Sequence, residues 1–175
     1  MTETIILGGG CFWCLDAVFR PLRPVVSVEC GYAAGFVPFP DYEQVCRGDT
    51  GHAEVVRVVW DAEQWMLENV LEVFFQIHDP TTIDRQGQDV GSQYRSLIVV
   101  DNADQLERVR AVLEDQQKYW GQPIVTSVVE GVPFYPAEAE HQDYFRRHPE
   151  QGYCRVVIAP KVAHMRQDYA SLWQN

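Results

Sequence analysis

Basic residues are in short supply. Against 25 Asp and Glu stand 14 Lys and Arg, a formal net charge of −11 over 175 residues. Nucleic acids and anionic membranes call for clustered Lys and Arg, so the balance argues against both as main partners. It leaves a protein partner open. No run is long and apolar enough to span a bilayer. The start, Met1-Thr2-Glu3-Thr4, lacks a basic stretch ahead of its apolar residues, so no secretory signal is expected. Fixed-period repeats, low-complexity tracts and linkers are also missing, and the length suits one domain over residues 1–175 with a real core. Cysteine appears five times, an odd count. Without a secretory signal this argues against a disulfide framework and for a reducing, cytoplasmic setting. There a cysteine is buried and inert, metal-bound or catalytic.

What the chain does have is concentrated near its start. Gly8-Gly9-Gly10 runs into Cys11-Phe12-Trp13-Cys14. Ile5-Ile6-Leu7 before it reads as a strand, and Leu15 to Arg20 after it reads as a helix that stops at Pro21. Cys11 is therefore expected at a strand-to-helix turn. The positive end of a helix favours a thiolate, the nucleophilic form. Glycines let the backbone turn sharply and leave the sulfur uncovered.

Further along, strands are expected near 4–8, 25–31, 54–60, 94–100 and 124–129. Helices are expected near 11–20, 63–77, 106–120, 137–147 and 162–173, with Arg155 to Lys161 extended before the last of them. The order β-α-β, β-α-β predicts an α+β fold: a two-layer ferredoxin-like sandwich with a mostly antiparallel sheet and a C-terminal helical extension. Two connections, 32–53 and 78–93, are long for a compact domain, and such loops are commonly functional. Both are rich in useful groups and are expected to fold over the end of the sheet that carries Cys11.

Several side chains are candidates for chemistry. Cys11 and Cys14 form a C-x-x-C pair, which suits a redox couple or half a zinc site. No second half-site occurs in the sequence, which argues against zinc. Cys14 reads equally well as a core residue. Glu54 opens an apolar strand; as a strand-end carboxylate it would be solvated, but lodged among Phe12, Trp13 and Tyr42 it would be protonated near neutrality and able to donate. Asp89 and Tyr94 read either as turn and strand residues or as parts of a site. His52 reads as a loop-fixing histidine or a base. Cys30 and Cys46 read as structural, and Glu138 with Glu140 as a solvated helix face. On the residues alone, a general thiol-disulfide oxidoreductase using Cys11 and Cys14, a cysteine hydrolase with His52, and a redox-sensing domain all stay open.

Gly10-Cys11-Phe12-Trp13, Tyr42-Glu43-Gln44-Val45-Cys46, the run Gly48 to Glu54, His78-Asp79-Pro80, the run Gln86 to Ser96, His141-Gln142 and Gly152-Tyr153-Cys154 occur in this order. In them the chain resembles the type A peptide-methionine sulfoxide reductases, which act on the S epimer of the sulfoxide. The resemblance implies that Cys11 attacks the sulfoxide sulfur, Glu54 protonates the departing oxygen, and Tyr42 and Tyr94 donate hydrogen bonds to it. Phe12 and Trp13 would hold the methyl group, with Asp89 and His52 ordering the polar side. Cys11 would become a sulfenic acid and close a disulfide with Cys154, Cys14 being the competing resolver. Thioredoxin, or dithiothreitol in its place, would reduce that disulfide, with no metal or organic cofactor. Oxidised proteins and peptides and free methionine sulfoxide are the implied substrates, and a monomer the expected state. The chemistry is coherent: the sulfoxide oxygen leaves only if protonated, so an ionised sulfur and a neutral acid must share one site.

Overall fold

A computed structural model describes residues 1–174. Among the described residues there are eight strands and six α-helices. The first half runs β1 (Thr2–Gly8), α1 (Phe12–Phe19), β2 (Val25–Ala33), α2 (Tyr42–Cys46), β3 (Ala53–Asp61) and α3 (Leu67–Ile77). The second half runs β4 (Arg85–Gln86), β5 (Asp89–Val90), β6 (Leu97–Val100), α4 (Ala103–Gln116), β7 (Ser127–Glu130), β8 (Phe134–Pro136), α5 (Tyr144–Arg147) and α6 (Ala159–Asp168). Six strands form one sheet in the order β7-β6-β1-β3-β2-β8. Only the β6–β7 pair is parallel among these; the others are antiparallel. The fold is thus mixed α+β with a mostly antiparallel sheet.

Period-two alternation decides which strand residues meet the helices. Ile5, Leu7, Val56, Val58, Trp60, Ile98 and Val100 join the main core with Leu15, Val18 and Phe19 of α1 and Val70, Leu71 and Phe74 of α3. The intervening residues Ala53, Val55, Leu97 and Val99 bury a smaller cluster on the other face. Glu54 has the parity of Val56 and Val58, so it projects into the helix layer although it is an acid. Helix α1 has buried residues at seven of its eight positions, as a helix enclosed by core and tail requires.

The long connections carry local structure of their own. The first contains α2, whose N-cap Asp41 and Gln44 form a reciprocal capping box. The second contains the β4–β5 hairpin and a 3₁₀ turn at Ser92–Tyr94, which replaces the first part of the expected 94–100 strand. Both reach the Cys11 end of the sheet. The Gly10 amide donates to the Tyr94 carbonyl at 3.2 Å, and the Tyr42 ring stacks on Phe12.

The tail departs most from expectation. Residues expected as a strand, Arg155 to Lys161, form a π-helical turn over Cys154–Ile158 that runs directly into α6. Their branched side chains suggest a strand, but the tail instead lays Ile158 and Cys154 on α1. The expected 137–147 helix breaks into a 3₁₀ turn at Ala139–His141 and the four-residue α5, with Asp143 between them at φ 54°. Its backbone amide donates to the buried Asp16 carboxylate at 2.8 Å, and that contact outweighs helical continuity. No helix among the described residues is long and apolar enough to cross a membrane.

Candidate active site

Cys11 is the N-cap of α1, at the end of the glycine turn that leaves β1. Gly10 sits at φ +93°, and a Cβ there would lie 2.8 Å from Gln86 Cγ. Gln86 in turn bonds both the amide (2.8 Å) and the carbonyl (3.0 Å) of Asp79. The glycine is therefore demanded by both backbone geometry and space. Cys11 as a residue is partly exposed.

Glu54 is 1 % exposed. Its Oε1 accepts a 3.0 Å hydrogen bond from the amide of Phe12, the residue that follows Cys11. Burial pushes the carboxyl up to about 8; the Phe12 amide opposes the rise and the charge of Asp89 adds to it. At neutral pH this group is an acid holding its proton.

Burial also pushes the Cys11 thiol well up, and the Glu54 charge and Cys14 push it further. Loss of water is the largest cause of the rise, which opposes the thiolate that a helix start favours. The Trp13 backbone amide works the other way. Protonating Glu54 removes the second cause of the rise. Neutral acid and ionised sulfur thus favour one another.

Tyr42 and Tyr94 come from the two long loops, and both are half-buried. Burial raises the Tyr42 phenol first, then its contact with the Cys46 thiol and the Glu54 charge. Burial, Glu54 and Asp89, in that order, raise Tyr94. Both remain donors across the physiological range. Cys46 itself lies exposed at the end of α2.

Phe12 is wholly buried, with ring centroids 5.7 Å from Tyr32, 6.3 Å from Tyr42 and 5.5 Å from His141. Trp13 is partly exposed and stacks on Tyr144 at 3.8 Å with 4° between planes. Its indole N–H donates to His141 Nδ1 at 3.3 Å. Asp89 accepts a 2.6 Å bond from the Tyr153 hydroxyl, which also lies 3.9 Å from the Cys14 sulfur. Cys154 is fully buried in a cluster with Cys14, Ala17 and Ile158, with Cys11 and Trp13 packed at its edge. All five cysteines are free thiols.

The structure thus gathers Cys11, Phe12, Trp13, Tyr42, Glu54, Asp89 and Tyr94, with Cys14 and Cys154 beneath. His52 stays outside. Its Nδ1 accepts from the Gly35 amide at 3.0 Å and its Nε2–H donates to the Val37 carbonyl at 2.6 Å. Both ring nitrogens are engaged in shaping the first loop, so the expected place on the polar side of the site is not where this side chain lies.

Four further residues border the cluster. Tyr153, His141 and Tyr144 are 130 or more positions from Cys11 in sequence; His141 and Tyr153 lie in motifs of the resemblance but carried no assigned role, and Tyr144 lies in none. Glu138 is the fourth: read from sequence as part of a solvated face, it instead bonds the Tyr32 hydroxyl (2.9 Å) and the Tyr42 amide (3.1 Å). Glu138, Glu140 and His141 bring three possible ligand atoms within 4.8 Å of one another. The two Glu138 oxygens and His141 Nδ1 are already bonded to Tyr32, Tyr42 and Trp13, a poor fit to a metal.

A partly exposed cysteine at a helix start thus lies within electrostatic reach of a buried carboxyl and two phenols, an arrangement suited to thiol chemistry. Residues 3–172 match the family model of peptide methionine sulfoxide reductase. The chain is 49 % identical over 173 residues, 99 % of each protein, to the peptide methionine sulfoxide reductase MsrA of Pseudarthrobacter chlorophenolicus. Among solved structures, reduced Mxr1 from Saccharomyces cerevisiae superposes with a TM-score of 0.82 at 36 % identity, covering 87 % of this chain and 89 % of that one. Mxr1 in complex with Trx2 gives 0.58 at 28 % identity, covering 82 % and 84 %. The chain belongs to the peptide methionine sulfoxide reductase family.

Proposed function

We propose that this chain reduces the S epimer of methionine sulfoxide, in peptides and as the free amino acid, through a sulfenic acid on Cys11. The observation that carries this reading is the buried Glu54 carboxyl, held by the amide next to Cys11 and raised by burial to about 8. The Cys11 sulfur attacks the sulfoxide sulfur while Glu54 delivers its proton to the departing oxygen. Tyr42 and Tyr94 donate to that oxygen without adding charge. Phe12 and Trp13 supply the apolar wall for the methyl group, and Asp89, bonded to Tyr153, the polar side. The bond from substrate sulfur to oxygen breaks, the oxygen bonds to the Cys11 sulfur, and the bond between Cys11 and the substrate sulfur breaks as methionine leaves. The protons balance: the thiol and Glu54 each give one up, the sulfenic acid takes one and Glu54 regains the other.

Cys154 then condenses with the sulfenic acid, releasing water and closing a disulfide. Its place in one cluster with Cys11 and Cys14 supports this assignment. A dithiol reductant of the thioredoxin type returns both thiols; the complex of the related Mxr1 with Trx2 supports that partner. The reading extends to a single catalytic domain over 1–175, acting as a cytoplasmic monomer without metal or organic cofactor. The order β6-β1-β3-β2 of the core strands supports the two-layer ferredoxin-like description of the fold. A thiol-disulfide oxidoreductase built on Cys11 and Cys14 would leave Glu54 without a task.

The test uses a methionine sulfoxide peptide of defined epimer with dithiothreitol, followed by mass. Turnover of the S epimer alone, lost in Cys11→Ser, is the expected result. Equal turnover of both epimers, or activity surviving Cys11→Ser, would overturn it.

A further inference from the structure

The Tyr42 phenol stands on α2, a helix of five residues. A helix this short has no stability of its own in water. Its capping box ties Asp41 to Gln44, within the same turn, and so fixes its shape but not its place. Placement has to come from a group outside the loop.

Glu138 is such a group. One carboxylate oxygen accepts from the Tyr42 amide at 3.1 Å, at the first helical position, where an anion is also favoured by the helix dipole. The other accepts from the Tyr32 hydroxyl at 2.9 Å. Tyr32 is wholly buried, packs on Phe12, and lies directly across the β2–β3 ladder from Glu54. The backbone beside Glu138 is itself anchored: the Ala137 amide donates to the Cys30 carbonyl at 2.9 Å, and Gln142 bonds Cys30 on both its amide and its carbonyl. One carboxylate therefore joins the helix that carries a phenolic donor to the strand pair that carries the acid.

We infer that Glu138 is a positioning residue for the reduction, setting Tyr42 in register with Glu54 through Tyr32. The inference rests on the reading of Tyr42 as a donor to the departing oxygen. It distinguishes Glu138 from a residue that merely stabilises the loop. A stabilising residue lowers the melting temperature and leaves the remaining native molecules at full rate. A positioning residue slows the chemical step in folded enzyme, and does so only while Tyr42 has a hydroxyl to position.

The experiment is a double-mutant cycle on single-turnover rate and KM, with Glu138→Ala, Tyr42→Phe and the pair, each checked for native far-UV signal. Glu138→Gln keeps one good acceptor and serves if the alanine variant does not fold. Tyr42→Phe is expected to slow the step roughly 10²-fold, as loss of one donor does. Glu138→Ala is expected to slow it about 10-fold with KM within about twofold, and the pair to be no slower than Tyr42→Phe within about twofold. Multiplying effects, or a full rate in Glu138→Ala and Glu138→Gln beside a slow Tyr42→Phe, would overturn the inference alone. A full rate in Tyr42→Phe would overturn the donor reading and the inference with it.

Discussion

The amide of Phe12 donates to Glu54 Oε1 across 3.0 Å, so the residue beside the nucleophile also holds the acid. The acid is 42 positions away in sequence, and the bond ties the start of α1 to β3. Replacing Glu54 by Gln keeps an acceptor of nearly the same shape and removes the proton. The single-turnover rate is expected to fall roughly 10²–10³-fold, the range for loss of a positioned acid or donor. Native circular dichroism should persist. A normal rate in that variant would show that the oxygen takes its proton from another group.

Glu54 also gives the pH dependence a sign. Its carboxyl is raised to about 8 in the folded protein, against the ordinary value near 4.3 once unfolded. Between these values the folded state holds a proton that the unfolded chain has lost, so stability falls as pH rises through the window. Glu54→Gln escapes this. It should match the parent in stability at pH 4 and exceed it increasingly up to pH 8, by on the order of 4 kcal/mol at the end. His78, buried and depressed to about 4, acts in the opposite sense, but comparing the two proteins at each pH cancels it. Urea titrations at four pH values read the difference. The single-turnover rate of the parent should likewise decline above about pH 8, as the acid is lost.

How much of this was legible beforehand follows from range. Cys11, its glycine turn and the strand-helix pair around it form one local pattern, so sequence revealed them directly. Glu54 was visible as a carboxyl out of place before an apolar strand, and parity alone turns it inward. The two long loops were recognisable by length and content, though α2 within the first was hidden by its five residues. The tail was not legible. Val156, Val157 and Ile158 have strand character, and their π-helical course depends on contacts with α1 that no local rule contains. Tyr153, His141 and Glu138 join the site only through partners 64 to 128 positions away. His52 shows the reverse: a chemically able residue two positions from the acid, yet committed to loop backbone.

Gly10 tests whether the turn before the nucleophile is as constrained as it looks. An alanine there must adopt a φ near +93° and push its Cβ against Gln86. The strain is of order 1–3 kcal/mol. Moving Gln86 also loosens its two bonds to Asp79. Gly10→Ala should therefore unfold at lower denaturant and react more slowly, whereas Gly87→Ala, with nothing within 4 Å of its Cβ, meets only the cost of its φ of +58°. Equal stability of Gly10→Ala and the parent would mean that the turn relaxes freely.

The resolving step sets a final expectation. Cys154 has no exposed surface and lies under Tyr153, whose hydroxyl is bonded to Asp89 at 2.6 Å. Disulfide formation with Cys11 is expected to shift the turn at Cys154–Ile158, with breaking that hydrogen bond part of the cost. The attack on substrate requires neither. In Cys154→Ser, one methionine per enzyme should therefore form at the parental rate, leaving Cys11 one oxygen heavier. Turnover with thioredoxin should stop, while dithiothreitol, small enough to reach the sulfenic acid, should still sustain it. In the parent, one equivalent of sulfoxide without reductant should yield a peptide pair joined through Cys11 and Cys154. A pair joined through Cys11 and Cys14, with Cys154 still a free thiol, would transfer the resolving role to the first turn of α1 and leave the tail as a cover.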